Sequence, residues 1–106
     1  MSSSKWLIPL IRPCSVTTFQ PWCHIGFVKN VVDVTADYTK GLDYCRTLSA
    51  VPNKKACYGA VGEEVASLTA DDAKRAAACE EAEWAYRESC GVAAGVRRYR
   101  PESAAQ

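Results

Sequence analysis

The chain has 106 residues, enough for one domain but few enough that apolar burial alone leaves its stability marginal. Thirteen basic and twelve acidic residues leave a formal charge of +1, so no global field draws it to nucleic acid or to an anionic membrane. Six cysteines, at positions 14, 23, 45, 57, 79 and 90, point to a disulfide framework and therefore to an oxidising compartment.

Residues 1–20 read as an irregular N-terminal segment. Its apolar run, Trp6-Leu7-Ile8-Pro9-Leu10-Ile11, is interrupted by proline. It is shorter than the roughly 7 to 15 residues of a signal-peptide core and far shorter than the ~20 residues that span a bilayer. No membrane span is expected. An exported chain with these cysteines has its native signal upstream of this sequence, as a mature fragment or a mis-started frame would; the alternative is a cytosolic chain whose thiols stay reduced.

Residues 21–95 read as a helical-repeat domain. A shift of 34 residues places Cys23 on Cys57, Val31 on Val65, Thr35 on Thr69, Ala36 on Ala70, Asp37 on Asp71, Lys40 on Lys74 and Cys45 on Cys79. Two units follow, about 21–53 and 54–90. In the first arm of each, Phe27, Val31 and Val34, or Val61, Val65 and Leu68, step by four and three residues and so share a helix face. Thr-Ala-Asp then supplies an N-cap hydroxyl and a first-turn carboxylate for the second arm. That arm carries the stripe Tyr38, Leu42, Cys45, Leu48 in one unit and Ala76, Cys79, Ala82, Tyr86, Cys90 in the other, with a strong helix former in Asp72–Ala78. Between the units Ser49–Asn53 turns the chain, because Pro52 disfavours helix at Val51. Cys90 and Gly95 repeat the spacing of Cys57 and Gly62 as a truncated third echo, and 96–106 reads as a flexible tail. The expected fold is all-α: two tandem 34-residue antiparallel helical hairpins stapled by disulfides.

Residues equally far from a hairpin turn sit at one height. About the Thr-Ala-Asp turns this pairs Cys23 with Cys45 and Cys57 with Cys79, each contributing roughly 3 kcal/mol by closing its loop, and leaves Cys14 and Cys90 open. A competing arrangement keeps Cys57 with Cys79 and adds Cys45 with Cys90, as in twin-cysteine helical hairpins of oxidative-folding type, although Pro52 and the unequal gaps count against it. Zinc sites use ligand pairs two to four residues apart. The only tight pair here, Cys23-His24, diverges on a helix, so no metal and no cofactor is expected.

The period and the helix-turn-helix unit over roughly residues 20–92 resemble the tetratricopeptide and Sel1-like class of helical arrays, without reproducing the tetratricopeptide Trp, Leu-Gly and Tyr positions. Segments such as Cys57-Tyr-Gly-Ala-Val-Gly-Glu-Glu-Val, followed by Cys79 and Cys90, are similar to cysteine-rich, exported bacterial proteins with no known activity. The resemblance implies stacked units that hold partner proteins.

Catalysis needs a base or nucleophile tuned by a partner in a pocket. His24 is the sole histidine and reads as a half-exposed helix residue. Asp33 and Asp37 read as a turn with its cap, and Glu63 and Glu64 as a solvated helix face. Arg97-Arg98-Tyr99-Arg100 reads as a solubilising end rather than a nucleic-acid contact. Trp6, Trp22, Trp84 and Tyr86 are candidate interface aromatics that the bland reading packs against neighbouring helices. The expectation is a non-catalytic scaffold or protein-interaction module, periplasmic or secreted, with a small enzyme or accessory subunit as the alternative. A cavity joining His24 to a carboxylate favours the enzyme; an exposed apolar groove across helices favours the binding module.

Overall fold

The computed structural model describes Cys14 and residues 20–99, whose regular structure is all helical, with no strand among them. Five α-helices follow in order: α1 Gln20–Thr35, α2 Tyr38–Arg46, α3 Val51–Leu68, α4 Asp72–Cys79 and α5 Arg87–Ala94. Single 3₁₀ turns lie at Trp84–Tyr86 and Arg97–Tyr99. Of the expected N-terminal segment only Cys14 and Gln20 are described, and Gln20 already belongs to α1; the remainder and residues 100–106 lie outside the described residues.

The caps explain where the short helices start. Asp37 and Asp71 are extended and take the N-cap positions: Asp37 accepts from the Thr39 N–H at 3.0 Å, and Asp71 from Ala73 and Lys74 at 2.8 and 3.3 Å. The threonines, expected as caps, sit two residues too early. Each hydroxyl instead accepts from the aspartate's own N–H, at 3.2 Å for Thr35 and 3.1 Å for Thr69. Pro52 does not end the turn but opens α3, since a residue of the first helical turn needs no N–H donor and proline has none.

Helix α3 is the centre of the molecule. The heaviest packing is α1 on α3 and α3 on α5; α2 adds smaller contacts against α3 and α1, and α4 against α5 and α3. Val28, Val32, Leu42, Cys45, Cys57, Tyr58, Val61, Val65, Ala78 and Ala82 form the main core; Cys79, Cys90, Ala94 and Val96 form a second cluster. The α3–α5 contact depends on Gly62, because a Cβ there would lie 2.2 Å from the Cys90 carbonyl oxygen.

Beyond the caps and Pro52, four expectations need correction. The disulfides are Cys14–Cys23, Cys45–Cys57 and Cys79–Cys90, with Cα–Cα distances of 5.5, 5.6 and 5.5 Å. The pairs Cys23 with Cys45 and Cys57 with Cys79 do not exist, nor does Cys45 with Cys90. The equal-height argument does not yield these pairs, since Cys45 lies just before the connection at 47–50 and Cys57 well beyond it; packing of the last turn of α2, which holds Cys45, against the second turn of α3, which holds Cys57, brings them together. Closing loops of 9, 12 and 11 residues, each bridge contributes about 3 kcal/mol in the chain-entropy picture.

The stripe drawn from Ala76 to Cys90 is not one helix. Eleven residues of helix would hold Cys79 and Cys90 about 16 Å apart at 1.5 Å per residue, whereas they are bonded; the chain breaks after Cys79 and resumes at Arg87. On α1 the buried face is His24, Val28 and Val32, one residue round from the expected stripe, and Val34 is 76% exposed. Finally, the tail expected from residue 96 is packed as far as Tyr99. Gly95, at φ 77°, turns the chain at the end of α5, Val96 is buried, and the Tyr99 ring lies against Gly91.

Candidate functional site

A groove of about 530 Å³ lies where the two Thr-Ala-Asp turns come together. Ala36 and Tyr38 border it from the first turn and the start of α2, Val65 and Leu68 from the end of α3, and Lys74, Ala77 and Ala78 from α4. Its floor is apolar and Leu68 remains 47% exposed. The Tyr38 hydroxyl donates to Glu81, and that bond, with partial burial, pushes the phenol up to about 12. Lys74 stands on the rim and makes no ion pair among the described residues. The volume is that of an ordinary ligand or peptide site.

His24 lines a different cavity of about 300 Å³, with Gln20, Tyr44, Leu48 and Asn53 among its walls and no carboxylate. Its Nδ1 is 2.7 Å from the Tyr44 hydroxyl. Burial lowers the imidazole pKa and raises that of the phenol, which favours the neutral form of both rings, and the two share one hydrogen bond. The pair is a satisfied polar contact at the α1–α2 interface. It lacks the acidic partner that would make a strong base of the histidine.

The carboxylate pairs separate. Asp37 is a cap, as expected; Asp33 instead faces Glu64 across the α1–α3 contact. Glu63 pairs with Lys29 on the surface, whereas Glu64, expected on a solvated face, is 9% exposed. Burial first, and then the hydrogen bond and charge of Asp33, push Glu64 up to about 7. Arg98 pairs with Glu80 and lies 5.2 Å over the Tyr99 ring, so part of the basic run is engaged within the fold. Of the aromatics, Tyr86 stacks on Tyr58 at 5.4 Å, while Trp22 and Trp84 are largely exposed, against the bland reading of both; Trp6 lies outside the described residues.

Two polar anchors were missed from sequence. Tyr58, fully buried, donates to Glu83 at 2.7 Å, and Glu83 also pairs with Lys54; burial, then this bond, holds the phenol well above its usual range. Arg75 donates to the carbonyls of Thr69, Ala66 and Ala94 at 2.7, 3.0 and 3.1 Å, tying the ends of α3 and α5 together. A buried tyrosine needing a partner was the only signal for the first; a lone arginine in an alanine run gave none for the second. Among the described residues no group of three or more His, Cys, Asp or Glu side chains is gathered to hold a metal, and no helix is long and apolar enough to cross a membrane. Every cysteine is bonded, which fits an oxidising environment. No family model, curated protein or solved structure matches the chain.

Proposed function

We propose that this chain is a non-catalytic, extracytoplasmic scaffold, two 34-residue helical-hairpin units long, that holds a protein partner in the groove at the meeting of its Thr-Ala-Asp turns. The observation that carries the reading is the apolar groove with half-exposed Leu68 at its edge, set against a His24 whose neighbour is a tyrosine hydroxyl rather than a carboxylate. Support for the repeat comes from the Asp37 and Asp71 caps, and from the Cys45–Cys57 and Cys79–Cys90 bridges, which close successive turns about one period apart. The bridges also supply the stability that so small a core lacks, and they persist only where thiols are oxidised.

Two measurements test this. Thiol counting on native protein taken from its source cells should find none of the six cysteines free; six free thiols would end the extracytoplasmic reading. A photo-crosslinking residue placed at Leu68 should then join a defined protein, whereas the same residue at exposed Asp43 should not, and Ala77→Glu should remove the Leu68 adduct. An adduct of equal yield at both positions would refute the groove.

A further inference from the structure

The charge pattern around the groove says what kind of surface fits it, and this inference rests on the binding reading above. Every carboxylate near the groove already has a role. Asp37 and Asp71 cap α2 and α4, Glu81 accepts from Tyr38, and Asp72 accepts from the Arg97 N–H at 3.0 Å. Among the groove's lining residues Lys74 is the one charged group, and it makes no ion pair among the described residues. The floor is mostly methyl and aliphatic groups from Val65, Leu68, Ala77 and Ala78; of its hydroxyls, that of Thr69 already accepts from the Asp71 N–H and that of Tyr38 donates to Glu81. An occupant therefore meets apolar surface with one cation at its margin, next to exposed Leu68.

We infer that the groove receives an amphipathic helix of a partner protein that carries a carboxylate beside its apolar stripe, the carboxylate meeting Lys74. A helix edge suits the site better than a single acyl chain. Small-molecule pockets cover most of their ligand's surface, whereas this groove is bordered by exposed Leu68, Lys74 and Ala77, so i and i+4 anchors can settle there while the rest of the helix stays in water. The small alanines of α4 leave room for close approach.

The probes are two amidated 16-residue peptides with leucines spaced three and four apart, one with glutamates flanking the stripe and the other with glutamines, titrated into the intact chain and read by backbone amide shifts. The glutamate peptide should bind about 3-fold more tightly at low salt, the size of an exposed ion pair, with shifts centred on Leu68, Lys74 and Ala77. That gap should close in Lys74→Gln and in high salt, where such pairs are screened, and Leu68→Glu should weaken both peptides at least tenfold. A gap that persists in Lys74→Gln overturns the inference. Equal affinities that Leu68→Glu abolishes overturn the charge rule and leave the binding reading standing. If neither peptide binds the groove, both fall; dodecanoate shifting these amides where the peptides do not overturns the helix in favour of an acyl chain.

Discussion

The two halves of the molecule start from the same three residues and go different ways. Thr35-Ala36-Asp37 and Thr69-Ala70-Asp71 make the same aspartate cap and the same threonine bond to the aspartate N–H. Yet Ala36 is left-handed, at φ 56°, and Ala70 is not. Beyond the caps, α2 leads through a short turn into an 18-residue helix, whereas α4 leads through an irregular stretch into an 8-residue one closed by Gly95. Repeated local sequence thus fixes the chemistry of a cap, while the direction the chain takes afterwards depends on what it packs against.

The sharpest break in that comparison is at positions 28 and 62, which the 34-residue shift superimposes. Gly62→Ala drives a methyl onto the α5 backbone and should cost about 3 kcal/mol by overpacking. Val28→Ala opens a cavity in the main core and should cost about 2 kcal/mol. Chemical denaturation checks both, and a neutral Gly62→Ala would mean that α5 does not approach α3 as described.

The disulfides come next. Serine at both 79 and 90 should cost about 3 kcal/mol and, because Glu80–Glu83 is then free to follow its helix propensity, should raise the far-ultraviolet helix signal per folded molecule. Serine at 45 and 57 should cost a similar amount without that gain, since Pro52 still bars a continuous helix. An unchanged signal for the 79/90 variant would show that the break has another cause.

Glu64 tests the α1–α3 contact through pH. Its folded-state pKa is raised from 4.5 to about 7, so the folded chain holds this proton more tightly than the unfolded chain. The resulting stabilisation is complete below pH 4.5 and is lost as pH rises through 7. Glu64→Gln should flatten the stability profile across that window by on the order of 1 kcal/mol. Unfolding midpoints at pH 5 and 8 suffice, and a parallel decline in both proteins would exclude Glu64 as the source.

The smallest effect concerns the turns themselves. Ala36→Gly relieves a left-handed alanine and should stabilise by about 0.5–1 kcal/mol, whereas Ala70→Gly adds only unfolded-state freedom and should destabilise by about the same amount. Thermal melts that move both variants in one direction would show that the two turns share a backbone after all.

Much of the architecture was legible. The helical period, the paired turns and the Leu42–Cys45 face of α2 follow from residue spacing, because a helix face is a local, one-dimensional property. The groove was legible only in part: Val65, Leu68 and Lys74 stood out within the repeat, but nothing in spacing alone says that two turns 34 residues apart converge. The disulfide pairs were misread because two kinds of turn compete for the same cysteines, and sequence does not rank them.

The sequence by itself determined an all-helical chain, a turn at each Thr-Ala-Asp segment and an even set of cysteines, since these depend on side chains within one or two turns of each other. Only the tertiary structure decided which cysteines meet, which way α1 faces, where the helix after Cys79 breaks, and that Glu64 is buried beside Asp33. Those are settled by contacts between helices distant in sequence, whose packing and covalent closure outweigh the fraction of a kilocalorie per residue that local propensity supplies.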